Sequence, residues 1–445
     1  QTRLGILGLV PMRLSRSSRP DRLLVCLLAL LCVACEACGG SHGSGAATSG
    51  DPASGEPGVT APLPTDLTGV SPEAQASFAR GSNRFAFDLH RLRPAGNQVF
   101  SPGSISLAVA MTWAGARGNT DQQLAQAFGF DRTTHAGAAG LIHAFNQSGS
   151  PLAVANRLYG EQTYDLRAEF VQLAASRYAA PFEAVDFRGN SDGARRGINA
   201  WVEERTHDRI RDLLPSGSVN SDTRLVLVNA AYFLGTWATA FEQDATRDEP
   251  FHRDASTSFR VPMMNAELAA RHATVPGARL LELPYEGGRF AMVFVLPEPR
   301  FGLADVERGL DLVTWERWMA GLTHGEAVVS LPRFEVKLEP SLSLVESLQQ
   351  LGVIDAFDSE LADFSGMTSS PEDRFVIGDV LHQAFLRVDE SGTEAAAATA
   401  VVVMDESARM PDEVFQFRAD QPFLFMLRDT QSGAILFMGR VTDPR

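Results

Sequence analysis

One segment near the C-terminal end limits what this chain can fold into more than any other. Residues 389–411 read DESGTEAAAATAVVVMDESARMP, in which an apolar stretch without charge, 395–404, is followed by charged residues and Pro411. A permanently exposed strand of this composition would invite aggregation. The segment could be a buried strand or an alanine-rich helix, a simple linker, or a mobile loop that becomes a strand later.

The composition of this segment favours the mobile loop. The alanines of 395–400 are small enough to pass between existing strands, and the valines of 401–403 favour β geometry. Proline, which could not enter the middle of a sheet, is absent from 389–410. In a strand, alternate residues share a face. One uncharged face would then carry Thr393, Ala395, Ala397, Thr399, Val401 and Val403.

The N-terminal region is typical of a secretory signal. All four cysteines lie within residues 26–38, where basic residues between Arg13 and Arg22 precede an apolar run over 23–34. Twelve apolar residues are too few to span a bilayer, so we predict a signal peptide over 1–34 with Met12 as a possible true start. The tripeptide 33–35 is similar to the processing box of bacterial lipoproteins, in which Cys35 would carry the lipid, although Cys32 stands where leucine is usual. The alternative is a plain signal cleaved near residue 34 or 37. Both interpretations place the body outside the cytoplasm, secreted or in the cell envelope.

Beyond the signal, composition divides the chain into a tether and a body. Residues 35–67 are rich in Gly, Ser and Pro and are predicted to be a flexible tether. Residues 68–445 are predicted to form a single domain. Amphipathic patterns predict helices over 67–92 and 199–214, and Ser101 with Pro102 predicts a helix start. Strand signals dominate the second half, as in 289–296, 327–331 and 423–427, which indicates an α+β protein.

Charge and residue usage exclude several function classes. With 54 acidic against 39 basic residues, the chain has a net charge of −15 and is a poor candidate for binding nucleic acid. No cysteine follows residue 38, so the body has no thiol nucleophile, and the histidines lack metal-binding spacing. We expect no metal and no cofactor.

Several short motifs occur in an order that resembles one family. The motifs are Val99-Phe100-Ser101-Pro102, Gly115 to Thr120, Val228-Asn229 to Phe241, Leu283-Pro284-Tyr285, Leu331-Pro332-Arg333-Phe334, Leu351-Gly352-Val353, Val388 to Ala396 and Phe437 to Val441. From about residue 70 to 445 the sequence resembles the serpin family. The resemblance implies helices packed on three β-sheets, with an exposed reactive-centre loop at about 391–411.

The resemblance also implies a trap for proteases rather than an enzyme. A target serine protease cuts the loop and stays acylated to it, while the loop inserts into the main sheet. The hinge of the loop would comprise Glu390, Gly392, Thr393, Glu394, Ala395, Ala396, Ala397 and Ala398. Because 392–393 and 395–398 contain no proline and no bulky or charged residue, inhibition is favoured over a non-inhibitory binding role. Inhibition of a cysteine protease is a further alternative.

The cleaved bond is predicted by counting along the loop. Counting as the family does from Glu390 reaches the bond Glu406–Ser407, which would suit a glutamate-preferring protease. The loop is several residues longer than is common, so Met404, Asp405 and Arg409 remain alternatives.

Other residues match named regions of the family. Ser101, Ser104, Asn229 and His382 match the shutter, a buried polar cluster under the sheet, and Trp237 matches the breach. Ordinary helix caps and a core histidine would explain the same residues, and a hydrolase using Ser101 or Ser104 with His382 is a third hypothesis. Since residues 121–146 contain Arg132 as their one basic residue, we expect no heparin binding. We expect a monomer.

Overall fold

The computed structural model of the chain describes residues 61–338, 340–368, 370, 375–393 and 414–445. Within them the helices are α1 (Pro72–Leu92), α2 (Pro102–Trp113), α3 (Gly118–Phe128), α4 (Thr134–Phe145), α5 (Ala168–Tyr178), α6 (Phe187–Arg205), α7 (Leu303–Gly309), α8 (Leu312–Gly321) and α9 (Val345–Gln350). The strands of the first half are β1 (Gln98–Phe100), β2 (Leu152–Glu161), β3 (Phe182–Val185), β4 (Leu225–Phe233), β5 (Gly235–Thr236), β6 (Arg247–His252), β7 (Ser258–Val275) and β8 (Ala278–Pro284). The later strands are β9 (Phe290–Pro297), β10 (Thr323–Pro332), β11 (Phe334–Lys337), β12 (Leu342–Ser343), β13 (Leu381–His382), β14 (Phe385–Val388), β15 (Gly392–Thr393), β16 (Phe415–Arg418), β17 (Phe423–Asp429) and β18 (Ile435–Val441).

Serine followed by proline marks the start of the first two helices. The Ser101 hydroxyl accepts the backbone N–H of Ser104 at 3.2 Å and Pro102 opens α2, as predicted. The predicted start of α1 at Leu67 was wrong, because Ser71 caps the helix and Pro72 opens it. The serine–proline pair is a stronger start signal than the apolar spacing that suggested residue 67.

The predicted helix over 199–214 was wrong at its C-terminal end. Helix α6 ends at Arg205, and His207, Asp208 and Asp212 all have positive φ angles. A left-handed backbone at these positions cannot continue a right-handed helix. Leu213 is nevertheless buried, so the apolar pattern reported burial rather than helix.

A nine-stranded sheet forms the largest β element. Its strand order is β1-β18-β17-β9-β8-β7-β10-β16, with β6 paired to β7. Every residue of β9, β17 and β18 is buried, which agrees with the expectation that continuous apolar runs are covered on both faces. The predicted strands 327–331 and 423–427 lie within β10 and β17, whereas β9 begins one residue after the predicted start of 289–296. The α+β class is confirmed.

Two smaller sheets meet at the region that concerns function. One has the order β3-β2-β4 and the other β11-β14-β15-β5, while β12 pairs with β13. Strand β4 is separated from β5 by Leu234 alone, so β5 continues β4 along the chain. Among the described strands, β15 is the one that pairs with both β14 and β5.

Helices α1 and α2 pack under the sheets as part of the main core. Helix α2 contacts both β4 and β18, and α1 contacts α2 and α4. A second, smaller core lies between α6 and the β2–β4 pair, with Tyr159, Phe187, Ile198, Val202 and Val228 among its members.

Candidate functional site

The predicted hinge begins as a strand. After β14 the chain turns, and Thr393 in β15 pairs antiparallel with Val388. On the other side, Gly392 pairs with Thr236 and Thr393 with Gly235 of β5. The first two residues of β15 therefore already occupy the place of an additional strand between β14 and β5.

Gly392 is required by the closeness of the neighbouring backbone. Its φ angle is +151°, and a Cβ at this position would lie 2.0 Å from the carbonyl oxygen of Gly235. Any side chain here would have to push the hinge away from β5.

Thr393 is buried against two aromatic rings. Its hydroxyl lies 2.5 Å from the hydroxyl of Tyr285, whose ring stacks on Trp237 with centroids 4.4 Å apart. Trp237 also donates from Nε1 to the carbonyl of Asp389 at 3.0 Å and from its backbone N–H to Ser391 at 2.9 Å. The predicted breach residue Trp237 thus bonds to Asp389 and Ser391, which flank the hinge residue Glu390.

Glu390 fixes the turn that precedes the hinge strand. Its buried carboxylate accepts hydrogen bonds from Arg333 at 2.5 Å and Thr246 at 2.6 Å, and its carbonyl accepts the N–H of Phe241 at 2.9 Å. Burial raises the pKa of the Glu390 carboxyl, but the bonds from Arg333 and Thr246 outweigh burial and hold that pKa below its ordinary value.

A cavity lies between β4 and β14 beside the hinge. Its walls include Ala231 and Phe233 of β4 and Phe385 of β14, and Thr393 lines it as well. The Arg209 guanidinium, from the segment after α6, lies 5.6 Å from the centroid of Phe385. Among the described residues, no strand pairing joins β4 to β14. The unpaired region between β4 and β14 therefore lies where an extension of β15 would run.

The four predicted shutter residues lie together. The backbone N–H of Ser101 donates to Nε2 of His382 at 3.0 Å, and the Ser104 hydroxyl donates to Oδ1 of Asn229. The Ser101 hydroxyl donates to the carbonyl of Leu436 at 2.6 Å. The cluster connects α2 to β4 on one side and to β13 on the other. A shutter role stays a prediction, but the proximity that it requires is present.

His382 is held neutral in this cluster. Burial lowers its pKa to about 3, and the charge of Arg93 acts in the same direction. Because a backbone N–H donates to Nε2, that nitrogen must be an acceptor, so the ring proton is on Nδ1.

The same contacts count against a hydrolase. Among the described residues, neither the Ser101 nor the Ser104 hydroxyl is bonded to the ring of His382. All three residues are buried, so a substrate could not reach them.

Sequence reasoning missed several residues of the site. Asn156 of β2 lies opposite Asn229 and accepts its Nδ2 at 2.6 Å. The position of Asn156, directly after the apolar residues 152–155, was an available signal. Arg333 and Tyr285 lie within motifs that carry the family resemblance, but their roles at the hinge were not predicted, and Thr246 gave no signal. The contacts of all three to the hinge join distant parts of the chain.

Other predicted positions lie outside the described residues. These are Cys35, Glu394, Ala395, Ala396, Ala397, Ala398, Met404, Asp405, Glu406, Ser407 and Arg409. In the part of the chain that the structure does describe, no three His, Cys, Asp or Glu side chains gather as a metal site would require. Over those same ranges, no helix is long and apolar enough to cross a bilayer.

Comparison with known proteins identifies relatives over most of the chain. The sequence profile described as "Serpin (serine protease inhibitor)" matches residues 80–444. The human (Homo sapiens) protein "Leukocyte elastase inhibitor" is 42% identical over 383 residues, which cover 82% of this chain and 99% of that protein. The solved structure "Cleaved Serpin 42Da" matches with a TM-score of 0.75 and 33% identity, covering 84% of this chain and all of that one. Human thyroxine-binding globulin, solved in complex with its hormone, matches with a TM-score of 0.72 and 27% identity over 83% of this chain and 99% of its own.

Proposed function

The chain belongs to the serpin family, and on that premise we propose that it inhibits serine endopeptidases as a suicide substrate. The protease cleaves the reactive-centre loop, stays acylated to the new loop end, and is trapped when the loop inserts into the sheet. The protein itself is then not an enzyme but is consumed in the reaction.

One observation supports this mechanism above the others. Gly392 and Thr393 already form the beginning of a strand between β14 and β5, and the cavity between β4 and β14 lies next to them. Insertion of the loop would extend an existing pairing instead of starting a new one, so the costly nucleation step is already made.

The reaction requires a covalent step at the loop. The protease serine oxygen attacks the carbonyl carbon of Glu406, the bond to the nitrogen of Ser407 breaks, and the amine leaves with the proton that the protease's base took from the serine. Glu406 remains as an ester on the protease. Met404, Asp405 and Arg409 are the alternative acyl residues.

Insertion supplies the energy that keeps the ester from being hydrolysed. About a dozen new backbone hydrogen bonds, at about 1 kcal/mol net each, would contribute on the order of 10 kcal/mol. That is similar to the whole stability of a domain, so it is enough to distort a protease dragged along with the loop.

Incubation with a panel of proteases tests the proposal. Glutamyl endopeptidase, trypsin and subtilisin represent the alternative cleavage sites, and an elastase is added because of the relative named above. We expect one of them to form a complex that survives boiling in detergent. The matched control is the same protease with its serine blocked, which should form no such complex. Mass spectrometry of the released C-terminal peptide then identifies the cleaved bond.

Two other outcomes would each point elsewhere. Loop cleavage without an adduct would favour a binding protein, a role that the fold also carries in the thyroxine-binding relative. A stable complex with a papain-like enzyme, and with none of the serine proteases, would favour a cysteine protease inhibitor.

We also propose that the protein acts as a monomer at a bacterial cell surface or in the medium, without heparin. The location is supported by the signal-like N-terminus and the cysteine at position 35, and independence from heparin by Arg132 being the single Lys or Arg within 121–146. Cys35→Ser should release the protein from membranes into the soluble fraction. Equal membrane retention of the variant would refute lipid anchoring, and retention of neither form would favour plain secretion.

A further inference from the structure

Residues 61–68, here called the arm, lie along the body before α1 begins. Ala61 and a proline at 64 are buried. The backbone N–H groups of Thr65 and Asp66 both donate to the carbonyl of Ser176 near the end of α5, at 2.8 and 3.1 Å. The arm is therefore attached to α5 by its backbone.

Arg177 adds a side-chain attachment at the same place. Its Nε lies 2.8 Å from the carboxylate of Asp66, and its Nη1 donates to the carbonyl of Thr68 at 2.5 Å. The Arg177 side chain is 16% exposed and the Asp66 side chain 39%, so solvent partly screens this ion pair.

A third attachment joins the arm to α4 and β2. Asn146, which follows α4, donates from Nδ2 to the carbonyls of Pro62 and Val154, each at 2.8 Å. Its Oδ1 accepts the N–H of Val154 at 2.8 Å. One side chain thus connects the arm to β2 of the β3-β2-β4 sheet.

The arm links two regions that must separate during loop insertion. One is α1 with α2, and the other is the β3-β2-β4 sheet with the end of α5. A strand inserted between β4 and β14 must hydrogen-bond to both, which places those two strands about 10 Å apart. The β3-β2-β4 sheet, with the α5 end bonded to it, must therefore shift away from α2 and β14. The arm continues into α1, which packs on α2 and α4, so its two ends are held by the two sides.

A continuous run of hydrogen bonds leads from this attachment to the shutter. Tyr178, next to Arg177, accepts Nδ2 of Asn156 at its carbonyl, at 2.8 Å. Asn156 in turn accepts Asn229, which accepts the hydroxyl of Ser104 on α2. A displacement at the end of α5 is thereby passed to the bond between β4 and α2, the bond that must yield when the sheet opens.

From these contacts we propose that the arm is a strap that resists opening of the sheet and sets the rate of loop insertion. The proposal rests on the proposed inhibitory function. In the inserted form, the shift of α5 breaks the contacts at Ser176 and Arg177. The strap therefore stabilises the native form alone, and its loss should speed insertion.

Arg177→Ala in the full chain tests the strap, because it removes the contacts to Asp66 and Thr68 together. Asp66→Asn is the second variant, since this residue is half exposed and its replacement leaves the fold intact. Arg308→Ala is the matched control, because it breaks an exposed ion pair with Asp305 within α7. We expect both arm variants to form the detergent-stable complex several-fold faster at saturating protease, and the control to match the parent.

Thermal midpoints separate a strap from ordinary stabilisation. The native form of each arm variant should melt about 1 to 2 °C below the parent, while the loop-cleaved forms melt together. Equal losses in native and cleaved forms would mean that the arm is merely structural, and unchanged midpoints with unchanged rates would also overturn the proposal. If the parent itself forms no complex with any protease, the inhibitory function fails, whereas a trapping parent with unaltered variants refutes the strap alone.

Discussion

Replacement of the buried hinge residue Thr393 offers a demanding test of the insertion mechanism. Thr393 is 2% exposed, lies between β5 and β14, and its hydroxyl is 2.5 Å from that of Tyr285. Thr393→Arg would place a guanidinium in this space, where Trp237 and Tyr285 form the wall. Among the described residues that line the cavity beside Thr393, none carries a carboxylate.

The expected size of the effect follows from burial. A charged group without a partner costs several kcal/mol to desolvate, even after the protein relaxes. Partial escape of the long side chain toward solvent reduces this cost to about 3 kcal/mol. Because Thr393 is already buried before cleavage, the same cost would expel the substituted hinge from between β5 and β14 in the native form. Insertion must then bury the guanidinium, which hydrolysis of the acyl-enzyme does not require, so insertion slows by about a hundredfold. The variant should then be cleaved as a substrate.

The assay is the stoichiometry of inhibition together with the fraction of detergent-stable complex. Thr393→Ser is the matched control, because it keeps the hydroxyl that reaches Tyr285. We expect the arginine variant to release active protease and cleaved loop, while the serine variant traps as the parent does. Undiminished trapping by the arginine variant would refute insertion of this residue into the sheet.

Three further predictions concern the residues around the hinge. Because burial lowers the pKa of His382 to about 3, the unfolded chain takes up a proton below about pH 6.5 that the folded chain does not, so stability falls with pH in this window. Between pH 7 and pH 5, the free energy of unfolding measured with urea should fall by about 2 kcal/mol, and this loss should be absent in His382→Gln. An equal dependence of the unfolding free energy on pH in both proteins would contradict this. Gly392→Ala, whose Cβ would meet the oxygen of Gly235, should expel the hinge and expose Trp237, seen as a red shift in its fluorescence; an unshifted spectrum would show that the contact is relieved otherwise. Arg333→Ala leaves the buried Glu390 carboxylate with one fewer hydrogen-bond donor. Because the guanidinium is 43% exposed, the substitution should lower the free energy of unfolding by only about 1 kcal/mol at neutral pH. An unchanged urea midpoint would argue against a stabilising ion pair.

Local signals in the sequence predicted the parts of the fold that local forces determine. The cap at Ser101 and the buried apolar strands needed no distant partner, and both are present. The segment after Arg205 was wrongly predicted to be helical. Its leucines are buried by tertiary packing, but several residues there have a left-handed backbone, which apolar periodicity does not report.

The hinge could be predicted in position but not in its contacts. The resemblance of the motif from Val388 to Ala396 to the serpin hinge indicated where the inserting strand would begin, whereas the partner of Thr393, Tyr285, lies 108 residues away. Pairing over such distances depends on how the sheets cross, which one sequence does not encode locally. The alternation expected beyond Thr393 falls outside the described residues and stays a prediction.

The most direct test of the account is the thermal stability of the protein before and after its loop is nicked. Insertion worth on the order of 10 kcal/mol in a body of this length should raise the melting temperature by about 10 °C or more. The measurement is scanning calorimetry of intact and nicked protein at equal concentration, with the nick verified by mass spectrometry. A nicked form that melts well above the intact one is the predicted result. A nicked form that melts at the same temperature or lower would contradict the claim that the native form stores the energy of an uninserted strand.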